Sequence, residues 1–496
     1  MSIFLKKKGI YTQLNYKLLL YCSILMVVFF GVNFGIEFAT DTYSTFGEAD
    51  TWKWMLYENG RVLNALVYYL FELLHVPGGY IYKLSYLTAL FFGVLSSYLF
   101  ASPLLFFIKK EWVASFVAFL TILNFYVIEY FLFIEKGLFL IAIFFCVAAF
   151  RLTLEYLKNK KLLYLLPSLF CLLMAVFMYQ TMLGLFVVLC LPFIAYYSKS
   201  IKEFFSFNLI VALLYGIPMG IGFFITNVIL GSDRVGDPSF QLSNISSVFQ
   251  SILNISINRW TVVPAYTFLL FFLLCCCLFL MTILYGSKEN KEKNGINILL
   301  FLYIILGTYF VSFFPQLTGI SSLYLPRVIY PYGAVFGILL TYCILAGKNE
   351  FQNRAALYYS LCFILLALSC SQYLSFQSVF IDRYRCNQSD YYYCQILSYQ
   401  IEKYEQESGN TIDTICFYND QNVLWWERGY DESTLNTRAQ SCGWSNLTSI
   451  NHYLEKNYVK GDPQPEYEEY FNQYDWGTYS EEQLIFEENI LHLCVY

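Results

Sequence analysis

The feature that most constrains this chain is a succession of apolar runs joined by short polar loops. Each run is roughly 18 to 25 residues long, the length a bilayer crossing requires. The first extends from Leu18 to about Ile36. The others are centred near Phe92, Phe119, Phe145, Phe170, Val187, Leu213, Phe271, Ile305, Ile338 and Ile364, about eleven spans in all by that length rule. Only 14% of the residues are charged, too few for a soluble surface, where about a quarter is usual. The 48 Phe and 45 Tyr suit half-wet positions at membrane interfaces. The first run is longer than a signal-peptide core and lacks a small-x-small cleavage site, so a retained anchor is expected. The expected fold is mainly α, a polytopic transmembrane helical bundle.

Charge divides and orients the chain. Basic clusters at Lys6 to Lys17, Lys109-Lys110, Lys158 to Lys161, Lys199 and Lys202, Lys288 to Lys293, and Lys348 to Arg354 fall on alternate loops. The positive-inside rule assigns that side to the cytoplasm. An odd number of spans with the N-terminus inside then puts the C-terminal tail outside. From Phe376 onward 20 acidic side chains stand against 7 basic ones. Residues 1–375 therefore read as the membrane domain and 376–496 as an acidic, extracytoplasmic domain. In that tail Asp390 to Gln406 predicts a helix, and Thr411 to Tyr418 and Ile490 to Tyr496 predict strands of a small α/β domain.

No basic stripe with interleaved aromatics exists, which argues against nucleic acid. Ten of the fifteen cysteines lie in apolar runs and none forms a paired C-x-x-C spacing, so neither a metal nor a cofactor is expected. Five more fall in the tail. An oxidising exterior would allow a disulfide such as Cys386–Cys394, although the odd count argues against a full framework.

The loops opposite the basic clusters carry isolated ionisable groups, which are costly at a membrane edge and read as functional by default. Asp41 directly follows the first span, so a rigid helix would set its depth; it is the preferred general base, with Glu48 and Asp50 as second choices. Arg61 follows the turn pair Asn59-Gly60. It opens an amphipathic stretch, Leu63 to His75, expected to lie in the membrane surface. A guanidinium there suits phosphate or sugar hydroxyls, and so does lipid-headgroup snorkelling. Glu129, Glu135 and Lys136 flank the next exterior loop, as sugar-hydroxyl partners or, for Glu135 and Lys136, as a mutually neutralising pair. Tyr179-Gln180 sits at a helix turn, either donating to a sugar or tying helix ends together. Arg327, after Leu325-Pro326, is a second phosphate candidate. Asp233, Arg234 and Asp237 are weaker candidates in a loop from about Gly231 to Asn258 that can cover a site or merely connect.

Transfer of a sugar from a polyprenyl phosphate needs such a set. A carboxylate must accept the acceptor's proton, donors or cations must meet the departing lipid phosphate, and a groove must lead from the bilayer. No nucleotide-binding fingerprint is present.

Taken in order, these motifs resemble the Gtr-type glucosyltransferases that modify bacterial O-antigens and other surface polysaccharides, polytopic enzymes of GT-C-like architecture. The Asp41-Thr42-Tyr43 region with Glu58-Asn59-Gly60-Arg61 looks like that family's first exterior loop. Asn124-Phe125, Ile128-Glu129-Tyr130 and Glu135-Lys136-Gly137 look like its second. Tyr179-Gln180 resembles its Tyr-Gln pair, Pro326-Arg327-Val328 its late Arg motif, and the terminal segment its soluble end. The chain departs from the pattern in having Asp41-Thr42 where the family has two adjacent aspartates, and a cation beside the acid at Glu135-Lys136. The resemblance implies transfer of glucose or a similar hexose from an undecaprenyl-phosphate carrier to a surface glycan. The reaction would proceed with inversion on the outer face of the bacterial cytoplasmic membrane.

Two other readings use the same sequence. A lipid-linked-sugar flippase or transporter would favour internal repeats and charges at mid-membrane; here no clear repeat is visible and the charges sit at span ends. Alternatively the tail is a binding or assembly module and the spans are its anchor.

Overall fold

The computed structural model describes residues 14–31, 38–47, 50–231, 242–258, 263–285, 294–319, 321, 323–347, 350–421 and 437–495. It is mainly helical. Among the described residues seven helices are long and apolar enough to cross a membrane: Gly78–Ile108, Lys136–Asn159, Gln180–Tyr197, Ile201–Ile229, Thr267–Leu284, Gly295–Ser312 and Ala355–Ser408. This is the composition of a multi-pass membrane protein.

All eleven expected centres fall on apolar helices, but four of those helices are shorter than a span: Tyr16–Phe30, Glu111–Ile122, Leu162–Met178 and Val335–Gly347. Position explains two of them. Val113 to Ile122 and Val335 to Leu345 are buried almost throughout. A helix enclosed by other helices is apolar all round, and its ends can turn at membrane depth because protein satisfies the freed backbone groups. Asn124 does this after Glu111–Ile122. Its side-chain oxygen accepts from the Tyr126 amide at 3.0 Å, and its Nδ2 donates to the Tyr330 carbonyl at 3.4 Å. By contrast Ile201–Ile229 and Gly295–Ser312 expose most of their apolar surface, as helices on the lipid side must.

The amphipathic stretch from Leu63 to His75 is a helix over Val62–Leu73. Leu66, Tyr69, Leu70 and Leu73 stay exposed, while Asn64, Ala65 and Tyr68 are buried. The apolar face turned outward is the inverse of a soluble amphipathic helix and suits contact with lipid.

The tail differs most from expectation. Asp390 to Gln406 is not a separate helix. It is the upper part of Ala355–Ser408, 54 residues long and about 80 Å from end to end at 1.5 Å per residue. The division expected at 375/376 falls inside this rod. What changes there is the buried surface, from Leu357, Leu361 and Leu365 below to Asp382, Arg383, Asn387 and Asp390 above. Beyond it, β1 (Thr414–Asn419), β2 (Val459–Lys460), β3 (Leu484–Glu487) and β4 (Ile490–Val495) form one sheet in the order β2-β1-β4-β3. β1 lies parallel to β2 and β4, and β3 and β4 are antiparallel. Both expected strands are therefore present, paired with each other. β2 and β3, of two and four residues, are too short to show an alternating pattern.

All fifteen cysteines, each among the described residues, are free thiols. Cys386 and Cys394 sit on the same helix, eight residues and hence about 12 Å of rise apart. A disulfide needs Cα atoms within about 7 Å, so the expected pair cannot form.

Candidate functional site

Helix connectivity places the basic loops after Ile108, Asn159 and Tyr197 at one end of the bundle and the turns at 123–135, 179–180 and 313–330 at the other. At this second end the helix termini surround a cavity of about 320 Å³. Asp41, Asn59, Arg61, Glu135, Tyr179, Gln180 and Arg327 all line it, so residues scattered over nearly 290 positions (41 to 327) meet. Most of the remaining lining is apolar, including Met219, Phe223, Val311, Leu323 and Pro331. Among the described residues two carboxylates and two guanidiniums thus face one space whose other walls are largely apolar.

The Asn59-Gly60-Arg61 turn owes its shape to Gly60. Its φ of +63° lies in the left-handed region, and a Cβ there would run into the Thr226 side chain. Irregular helix precedes the turn and carries Thr226. Trp54–Glu58 and Phe224–Ile229 are π-helical turns, a form that clusters at functional sites. The Asn59 side chain donates to the Trp54 carbonyl at 3.2 Å, and the Arg61 amide to the Met55 carbonyl at 2.9 Å. The turn therefore delivers Arg61 with little freedom. Its guanidinium stands 3.5 Å from the Glu135 carboxylate and 4.7 Å from the centre of the Tyr179 ring. Gly60→Ala combines positive-φ strain with a steric clash. It should reduce whatever activity the cavity supports at least tenfold while leaving membrane insertion unchanged; activity per inserted molecule checks this.

Glu129 holds Arg327. Its carboxylate is fully buried. It accepts from the Arg327 amide at 2.6 Å and from Nη1 at 3.0 Å. The Arg327 carbonyl accepts from the Tyr130 hydroxyl at 2.6 Å and the Thr181 hydroxyl at 3.2 Å. Both ends of the residue are thus fixed, and charge-assisted bonds of this kind are the stronger ones. Glu129 itself does not line the cavity, which corrects its expected role as a partner of sugar hydroxyls: it is fully buried and each of its oxygens is bonded to Arg327.

Three further expectations change. Asp50 is half-exposed and pairs with Lys53 at 2.8 Å, outside the lining; one helical turn is enough for it to find a local cation. Lys136 is buried with its ammonium 3.7 Å from the centre of the Tyr82 ring, a cation–π contact that turns it away from the cavity. Glu135 therefore meets Arg61 rather than Lys136. Glu48, Asp233, Arg234 and Asp237 lie outside the described residues.

Asp41 reaches the cavity by a route the sequence did not suggest. It sits on its own short helix, Thr40–Gly47, and the tail packs on that helix. The Phe38 amide donates to the Asn387 side chain at 2.7 Å, and Asn387 Nδ2 donates back to the Phe38 carbonyl at 2.9 Å. The Tyr43 and Tyr453 hydroxyls are 2.5 Å apart. The Trp444 indole N–H donates to the Asp41 carboxylate at 3.1 Å. Trp444 was not among the sequence candidates; its only signal was an aromatic beside a glycine in a polar stretch. Among the described residues, no group of three His, Cys, Asp or Glu is placed to hold a metal ion. No family model matches the chain, and no curated protein matches it.

Proposed function

We propose that the protein is a membrane glycosyltransferase that moves glucose or a similar hexose from a polyprenyl-phosphate carrier to a surface glycan. The reaction takes place at the extracytoplasmic face of the bacterial cytoplasmic membrane. The observation that supports this reading best is the meeting of Asp41, Arg61 and Arg327 on one cavity whose remaining walls are largely apolar. A carboxylate opposite paired cations is what a displacement at a lipid phosphate requires. The hydrocarbon walls suit the isoprenoid.

In this reading an acceptor hydroxyl attacks the anomeric carbon and its proton passes to Asp41. The bond between that carbon and the phosphate oxygen breaks, with inversion in a single displacement. The negative charge that develops on the leaving lipid phosphate faces Arg61 and Arg327. Glu135 keeps Arg61 directed and Glu129 keeps Arg327 directed, so neither guanidinium has to reorganise as charge appears. Asn59, Tyr179 and Gln180 remain for the sugar hydroxyls. The one-sided basic loops support an exterior location for this end of the bundle.

The test is transfer in detergent from polyprenyl-phosphate-hexose to surface polysaccharide taken from cells lacking this protein. Product formed without a closed compartment is enzymatic; a flippase or an inert anchor gives none. Within that assay Arg327→Ala should lower kcat/KM for the donor by about 10²–10³-fold, the range for losing one transition-state donor, with the acceptor KM less affected. Glu129→Gln should follow the same pattern more weakly, since it frees the arginine rather than removing it. A larger change in acceptor KM for either variant would contradict the assignment of Arg327 to phosphate.

A further inference from the structure

We propose that Trp444 forms the acceptor-sugar subsite, presenting its ring as a stacking platform for one pyranose face beside Asp41. The inference rests on the transferase reading above and names the part of the site that reading leaves unassigned. The cavity contains two guanidiniums for the donor phosphate, but the acceptor must approach the carboxylate from outside. Trp444 lies outside the lining yet touches Asp41, which is part of it. Its ring is 54% exposed, unusual for the largest apolar side chain, while its N–H is bonded to Asp41.

The residue is also built into place. Arg438 Nε and the Ala439 amide donate to the two carboxylate oxygens of the buried Asp390, each at 2.9 Å. Gln440 Nε2 donates to the Asp390 carbonyl at 2.9 Å, and Gln440 Oε1 accepts from Arg438 Nη2 at 3.0 Å. Further along, Lys460 Nζ donates to the Gly443 carbonyl at 2.8 Å, and the Ser445 hydroxyl donates to the Ala439 carbonyl at 2.7 Å. A turn tied at this many points carries an exposed indole at low entropic cost, as a binding anchor should. A pyranose offers an apolar C–H face that fits an aromatic ring and an equatorial rim of hydroxyls. With the face on Trp444, a rim hydroxyl comes within reach of Asp41.

The experiment compares Trp444→Ala and Trp444→Phe with the wild type in the detergent assay, using polyprenyl-phosphate-hexose and polysaccharide from cells lacking the protein. Trp444→Ala should raise KM for the polysaccharide roughly tenfold or more, the scale of a buried aromatic anchor, with donor KM changed less than twofold. Trp444→Phe, which keeps a ring and loses the N–H, should recover most of that loss. Equal increases in both KM values, or a fall in kcat alone, would make Trp444 a support for Asp41 and overturn the proposal. A Phe variant as poor as Ala would overturn stacking. If the wild type transfers hexose and Trp444→Ala keeps its polysaccharide KM, this inference alone falls. If the wild type transfers nothing, the transferase reading falls first.

Discussion

Asp41→Asn should lower hexose transfer by about 10²–10⁴-fold, the range for losing a general base, with membrane insertion and thermal stability near wild type. The amide has the carboxylate's size, and its oxygen can still accept the Trp444 N–H, so the contact between the short helix and the tail survives. What is removed is the negative charge and with it the ability to take a proton. The structure also names the group that would replace Asp41 if the prediction failed. Asp50, the fallback suggested by sequence order, is paired with Lys53 away from the cavity. Glu135 is the other carboxylate in the lining, and it faces Arg61. Full activity in Asp41→Asn with loss in Glu135→Gln would move the base to Glu135. Full activity in both would remove the general-base role from the carboxylates that line this cavity among the described residues.

The sequence was most legible where a single local rule operates. Apolar runs located the centres of all seven helices that are long and apolar enough to cross a membrane among the described residues, because burying twenty hydrocarbon side chains needs no tertiary context. The turn Asn59-Gly60-Arg61 was readable for a similar reason: a glycine with positive φ is a local demand, and the structure meets it at Gly60. Long-range pairing was not readable. Glu129 lies 198 positions from Arg327, and nothing near Glu129 in the chain distinguishes an arginine holder from a sugar binder. Glu135 and Lys136 adjoin in sequence but diverge in space, one to Arg61 and the other to the Tyr82 ring, since consecutive residues at a helix start point in different directions. Whether the short central helices cross the membrane was not readable, because an apolar run looks alike whether lipid or protein surrounds it. The tail's part in the site left almost no trace, because Trp444 acquires meaning only against Asp41, 403 positions earlier.

That distant contact leads to the second large effect. A chain ending after Ser408 should insert normally yet transfer hexose no better than Asp41→Asn, a far deeper loss than Trp444→Ala produces. The truncation leaves Arg61 with Glu135 and Arg327 with Glu129, all four on the membrane part, so donor binding should persist. What it removes is the support of Thr40–Gly47. Eight residues are too few for a helix to hold itself, and this one is braced by Tyr453 on Tyr43. Phe38 would keep its two bonds to Asn387, which fix the start of the segment but not the orientation of the carboxylate one turn later. The long helix changes too: Asp390 would lose Arg438 and the Ala439 amide, and its carboxylate, no longer covered by the tail, would be left to solvent. Asp390→Asn in the full-length chain isolates that second contribution. If it costs stability but little transfer, whereas truncation abolishes transfer with donor binding intact, the tail acts by aiming Asp41. If the truncated chain transfers hexose faster than Trp444→Ala, Asp41 is positioned by the membrane part alone, and the docking of the tail serves some other end.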